Sequence, residues 1–181
     1  MTRQEMFNTM VIHPTAETAV IPIISKMKVN KDRYAAIKPP IPWHFIAVVH
    51  QMEAEQDFTK YLGNGQPLSM VTTKVPKGRG PFDTFEAGAI DALEQRKLIE
   101  LPVSYWNMDN ELYELEGYNG YGYSLYHHMP SPYVFAGTNY YTKGKYEEIR
   151  DASGQYKTHF NPDLVSNQIG VAVLLKYLLE N

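Results

Sequence analysis

Three prolines, Pro39, Pro40 and Pro42, stand directly before the run Trp43-His44-Phe45-Ile46-Ala47-Val48-Val49-His50-Gln51-Met52-Glu53-Ala54-Glu55-Gln56-Asp57-Phe58, and no other stretch constrains the fold as strongly. Proline disfavours helix in the residue before it, so the trio sets a clean start for a helix at Trp43. The pattern predicts that this helix continues to Leu62, where Gly63-Asn64-Gly65 supplies the stop. Phe45, Val48, Met52 and Leu62 recur at helical spacing, so much of it is expected to be buried. Within this apolar frame His50, Glu53 and Asp57 follow at intervals of three and four and share one predicted face. A carboxyl near the end of a buried helix is costly unless it is paired or protonated. Burial raises its pKa, which suits it to donate a proton near neutral pH.

The remaining composition narrows the function classes. A chain of 181 residues with 44% hydrophobic and 20% charged residues is long enough to bury a core and reads as a single domain, 1–181. The net charge is −3 and there is no basic run, so nucleic acid is not an expected partner. The absence of cysteine removes disulfides and thiolate metal sites. Met1 to Met10 are too polar for the apolar core of a signal peptide. Gly170 to Leu179 is interrupted by Lys176 and too short to span a bilayer. A soluble protein with no export signal of its own and no membrane insertion is expected.

Along the chain, Thr15 to Met27 reads as one or two short helices interrupted at Pro22, and Asn30 as the N-cap of another through Ile37, with Tyr34 and Ile37 inward. Leu68 to Val75 reads as a loop or small hairpin, and Pro76 to Pro81 as a loop carrying Lys77 and Arg79. Asp83 with Glu86 suggests a capping box for a helix to about Leu98, with Phe85, Ala89, Ala92 and Leu93 inward. Asn107 or Asp109 starts a further helix that buries Leu112 and Leu115 and meets the glycine-rich segment Glu116 to Tyr123, expected to end it. Ser131 to Tyr140 reads as a short helix or turn. Tyr146–Asp151 and Gln155–Phe160 pair around Ala152-Ser153-Gly154 as a solvent-facing hairpin. A last helix is expected from Asn161-Pro162 to Leu179, with Leu164, Val165, Ile169, Val173 and Leu174 in the core. The sum is an α+β, mainly α, single domain with a small β-hairpin.

Two motifs carry a resemblance. Met52-Glu53-Ala54 late in an apolar helix resembles the Glu-Ser motif of lytic transglycosylases and related lysozymes, and Gly117-Tyr118-Asn119-Gly120-Tyr121-Gly122 resembles their Ala-Tyr-Asn-x-Gly motif, in the same chain order. More widely, Trp43 to Thr73, Pro76 to Leu93, Leu115 to Tyr123 and Tyr141 to Lys145 are similar to a group of bacterial and phage lysozyme-like proteins. That group shows Arg-Glu-Ser, then Asp-Phe, Asn-Gly, a Thr with Val-Pro, and Tyr-Asn-Gly. Met52 stands where the pattern has arginine, Ala54 where it has serine, and the Gly-Leu-Met-Gln motif of transglycosylases has no counterpart.

The resemblance implies a lysozyme-like fold and cleavage of the β-1,4 link between N-acetylmuramic acid and N-acetylglucosamine in peptidoglycan, with no cofactor. Such cleavage needs a proton on the departing oxygen and stabilisation of an oxocarbenium-like carbon. Glu53 is the expected acid; Glu55, on a face shared with Val48, Met52 and Phe58, is the rival. Asp57 is a candidate second catalytic group that either polarises water, holds Glu53 or caps the next loop. Thr72 matches the group's threonine and either positions a water or is a surface residue. With no second carboxylate, the substrate's 2-acetamido group would attack, as the transglycosylase resemblance implies. One helical turn between Glu53 and Asp57, about 6 Å, does not decide the stereochemistry.

Fourteen tyrosines are many for this length, and they gather from Tyr113 to Tyr146. Tyr118, Tyr123, Tyr140 and Tyr141 are candidates for stacking on sugars, though tyrosine also suits core edges. As the motif implies, Asn119 is expected to hold the glycan or the backbone near the acid; Gly120 allows close backbone approach or a tight turn, and His50 contacts substrate or is a satisfied core histidine beside a carboxylate. His50-x-x-Glu53 with His127-His128 gives only a thin case for metal, without His-Glu-x-x-His, and none is expected. The expected partner is a peptidoglycan strand met by a monomer, delivered to the wall through a holin, on a virion or as a secreted effector. A non-catalytic glycan-binding module on the same fold is the alternative, and a metal-dependent wall amidase a third reading.

Overall fold

The computed structural model describes residues 1–151 and 153–180. Among them the chain forms helices α1 (Arg3–Thr9), α2 (Pro14–Val29), α3 (Lys31–Ala35), α4 (Trp43–Ala54), α5 (Phe85–Gln95), α6 (Met108–Asn119), α7 (Gly122–His127), α8 (Pro132–Phe135) and α9 (Val171–Glu180). Strands β1 (Lys145–Arg150) and β2 (Tyr156–Asn161) form one antiparallel two-stranded sheet between α8 and α9. The expected mainly α architecture with a small hairpin is therefore present.

Helix α4 occupies the centre because it has almost no polar stripe to turn outward. Phe45, Ile46, Ala47, Val48 and Val49 are all fully buried, and a helix apolar on every side belongs inside a core. It packs against α3, α6 and α9. Helix α9, where Val171 to Leu175 are all fully buried, is its equally apolar neighbour. Helices α2 and α8 cover α9, and α1 covers α6.

Several boundaries differ from expectation. Helix α4 stops at Ala54 instead of Leu62, and Glu55 and Gln56 adopt left-handed conformations. The Glu55 N–H bonds to the Gln51 carbonyl, the bond of a left-handed helix cap, and the Gln56 N–H reaches the His50 carbonyl six residues back. The buried Gln56 side chain donates to the Ile23 carbonyl (3.2 Å) on α2 and to Gln51 Oε1 (2.6 Å), so the turn is anchored by a neighbouring helix. Pro22 does not interrupt α2, which runs through it. Asn30 does not cap α3 with its side chain; its amide closes α2 by donating to the Lys26 carbonyl. Thr84, not Asp83, caps α5 by accepting from the Ala87 N–H. Leu68 to Val75 is loop.

Helix α6 starts at its predicted cap Asn107 and continues through Gly117 to Asn119 before Gly120, at φ +84°, ends it. Leu112 and Leu115 are fully buried, as are Ala89 and Leu93 in α5. The hairpin register pairs Tyr146 with Phe160 and Lys145 with Asn161. Ala152, expected at its tip, lies outside the described residues. The last helix begins at Val171, not at Asn161-Pro162: Asn161 ends β2, and 162–170 crosses back without regular structure. Val165 is accordingly exposed and Leu164 only half-buried, whereas Val173 and Leu174 are core.

Candidate functional site

Glu53 lies in the last turn of α4, where the helix leaves the core. Part of its surface stays accessible, while the protein around the carboxyl strips it of water. That burial pushes its pKa from 4.5 up to about 7; a hydrogen bond from Tyr133 and the positive charge of Arg96 offset only part of the rise. The Tyr133 hydroxyl, carried by α8, donates to Glu53 Oε1 at 3.0 Å. Oε2 accepts no intramolecular bond from the described residues and is the oxygen free to carry the proton.

Tyr118, in the last turn of α6, adds a second phenol. It is 9% exposed, and its buried hydroxyl has no hydrogen-bond partner among the described residues. Burial raises its pKa, with the Glu53 carboxylate adding to the rise, so this phenol stays protonated at any pH where Glu53 titrates. Arg96, which ends α5, fixes the arrangement. Its guanidinium lies 3.7 Å over the Tyr118 ring and donates to the carbonyls of Gly117 (2.9 Å) and Tyr118 (3.2 Å). A cation on the free carbonyls at a helix C-terminus is the favourable polarity, and here it also aligns the ends of α5 and α6 beside Glu53.

The Gly63-Asn64-Gly65 turn closes against the same helix end. Gly65 has φ +70°, and a Cβ on it would stand 2.1 Å from the Glu53 carbonyl oxygen, so only glycine fits. Buried Tyr61, which donates to Asp91 of α5 (2.7 Å), anchors this turn.

A cleft of about 410 Å³ adjoins this group, lined by Asn119, Tyr126, Tyr133, Lys145, Tyr146 and Gln168 among others. Glu53 is not one of its lining residues; Tyr133 connects the two, facing the cleft and hydrogen-bonding the carboxyl. The base of the hairpin forms one wall because it is braced on α7. The Tyr146 N–H donates to the Tyr123 hydroxyl (3.0 Å), and the His127 ring stacks on Phe160 at 3.6 Å.

The other residues expected in the site divide clearly. Tyr118 stands beside Glu53, whereas Asn119 and Tyr123 line the adjoining cleft and Gly120 is the turn that separates α6 from α7. His50 does not reach it. It is fully buried among Tyr34, Phe58 and Phe85. Its Nε2–H donates to the Asp57 carbonyl (3.1 Å), so Nδ1 is the acceptor for the Tyr34 hydroxyl (2.9 Å). Burial lowers its pKa to about 4, leaving a neutral core histidine.

Asp57 lies beyond the end of α4 and no longer shares a face with Glu53. Its Oδ1 accepts from the Thr59 N–H (2.9 Å) and hydroxyl (2.7 Å), which lowers its pKa and makes it the cap of a surface turn. The Thr72 hydroxyl is fully used, donating to the Pro76 carbonyl (2.6 Å) and accepting from the Arg79 N–H (3.0 Å), so it organises the 72–79 loop. Arg79 of that loop pairs with Asp91 instead of facing solvent alone. Glu55 is exposed. Tyr140 pairs with the Thr9 hydroxyl of α1 (2.7 Å), and buried Tyr141 braces Gly144 and Ser166; neither lines the cleft beside Tyr133.

Tyr133 and Arg96 were not singled out from the sequence. Tyr133 is one tyrosine among fourteen, and Arg96 reads as an ordinary cation near a helix end. Nothing local marks either of them, because both act across long sequence separations. Among the described residues no group of three or more His, Asp or Glu side chains is placed to hold a metal ion, and no helix is long and apolar enough to cross a membrane. Comparison with protein-family models, with curated proteins and with solved structures finds no match to this chain.

Proposed function

We propose that the protein is a lysozyme-like muralytic glycosidase that cleaves the β-1,4 bond between N-acetylmuramic acid and N-acetylglucosamine, with Glu53 as general acid. The observation that carries this reading is a carboxyl raised to about 7 by burial, hydrogen-bonded at one oxygen and free at the other, beside a cleft lined by tyrosines. Near neutral pH such a group is protonated in a large fraction of molecules and yet acidic enough to release the proton to a departing glycosidic oxygen. The accessible side of Glu53 meets the scissile bond, and neighbouring sugars run along Tyr133 into the cleft.

Among the described residues no carboxylate is hydrogen-bonded to Glu53 or contributes to its shift, to which Arg96 adds a positive charge. A double-displacement or base-assisted mechanism needs a second carboxylate within several ångströms. Asp57 and Thr72 are committed to their own loops. The chemistry that suits this site is therefore substrate-assisted, with the 2-acetamido oxygen attacking the anomeric carbon as Glu53 protonates the leaving oxygen.

The test is cleavage of purified peptidoglycan by the wild type and by Glu53→Gln, with the fold checked by circular dichroism. New reducing ends or 1,6-anhydro ends that resist EDTA, together with a loss of about a thousandfold in the variant, are expected. New free amines in place of sugar ends point to an amidase, and binding without cleavage to a non-catalytic glycan module; either overturns the proposal.

A further inference from the structure

We propose that Lys145 makes the cleft selective for glycans that carry a carboxylate, a specificity that rests on the glycosidase reading and adds to it. Lys145 opens β1, is half-buried, and lines the cleft together with Tyr126, Tyr133 and Tyr146. Its ammonium has no salt-bridge partner and donates no hydrogen bond to another described residue. Arg96, the cation beside Glu53, is by contrast engaged on the α6 carbonyls.

The carboxylate nearest in sequence on the same strand face, Glu147, is held by the Asn161 amide at 2.9 Å, across the ladder from Lys145. A cleft-lining ammonium with no counter-charge gains a charge-assisted hydrogen bond to an arriving anion. The cleft supplies the remainder of a saccharide site. Tyr126 is 75% exposed at its edge and offers a flat ring face, and the Asn119 and Gln168 amides make no intramolecular bond among the described residues. Neutral hydroxyls and acetamides suit those groups, while Lys145 calls for a negative one.

Two sources of carboxylate occur on such a glycan: the lactyl ether of muramic acid, and the acidic residues of the peptide attached to it. The geometry of one cation at the cleft wall fits either, so the probes must separate them.

Binding is measured by calorimetry on the full chain carrying Glu53→Gln, so that no probe is cut, and on the same chain with Lys145→Met or Lys145→Arg added. Four soluble probes share a β-1,4 tetrasaccharide backbone: chitotetraose, GlcNAc–MurNAc repeats with free lactyl acids, the same with lactyl methylamides, and the same with an L-Ala–D-Glu stem. One or both acid-bearing probes are expected to bind about tenfold tighter than chitotetraose and the methylamide, with the advantage falling as salt is raised. Lys145→Met is expected to abolish that ratio, and Lys145→Arg to restore most of it. If the lactyl acid alone shows the advantage, the sugar is the source; if only the stem does, the peptide is. Equal affinity for acid and methylamide probes, no binding of any probe, or discrimination that survives Lys145→Met overturns the inference. Selective binding by a protein that cuts no wall would leave it standing and remove the glycosidase reading; cutting without selectivity would do the reverse.

Discussion

Replacing Glu53 with glutamine should change the pH dependence of folding in a way that only a buried, uncompensated carboxyl produces. In the unfolded chain this glutamate ionises near 4.5, and in the native protein burial holds its proton to about 7. Between those values the native state binds more protons than the unfolded one, so the group's contribution is complete below 4.5 and is lost as pH rises through 7. At about 1.4 kcal/mol per decade the loss amounts to about 3 kcal/mol. His50 tilts the opposite way. Its native pKa of about 4 lies below the unfolded 6.5, so its contribution is present above 6.5 and lost as pH falls toward 4. The two slopes nearly cancel in the wild type between 4.5 and 6.5. Glu53→Gln removes one of them. Urea denaturation at constant ionic strength, from pH 4.5 to 8, should therefore show the variant gaining on the wild type by about 3 kcal/mol across the range, with the His50 slope unmasked below 6.5. The quantity to read is the change in the difference with pH, since a constant offset reflects only glutamine against a neutral acid. A difference that stays flat would mean that the carboxyl is hydrated, and the acid-donor argument would lose its basis.

Four further outcomes follow from the same geometry. Tyr133→Phe removes the hydrogen bond that favours the ionised carboxyl, so the alkaline limb of kcat/KM on peptidoglycan should move up by about one pH unit; an unmoved limb would separate Tyr133 from the acid. Asp57→Asn should leave cleavage within about twofold, because the side chain serves a surface turn. Thr72→Val, by contrast, should cost about 1–3 kcal/mol in chemical denaturation by orphaning the Pro76 carbonyl and Arg79 N–H. Gly65→Ala should destabilise by at least about 2 kcal/mol, since the methyl group meets the Glu53 carbonyl and the backbone at φ +70° is left-handed.

The local pattern of the chain carried a good deal of this structure. The prolines before Trp43 and the apolar run after them placed the start and the burial of α4, and Asn107 placed the start of α6. The turn residues Ser153-Gly154 placed the hairpin. Each of these signals acts between residues close in sequence, through backbone sterics, capping hydrogen bonds or side-chain period. The end of α4 was of another kind. Helical spacing continues past Ala54, yet the helix stops because the Gln56 amide is held by α2, and that one event carries Asp57 off the face it would have shared with Glu53.

What the sequence by itself determined is the central helix, the mainly α class and the position of one acidic residue near that helix's end. Tertiary structure alone decided which groups stand around the carboxyl: Tyr133 arrives from 80 residues away, and Arg96 aligns two helix ends from outside either motif. It also enclosed His50 and turned Asp57 and Thr72 to other work. The physical reason is that a pKa is set by desolvation and by charges within a few ångströms, and neither is a function of distance along the chain.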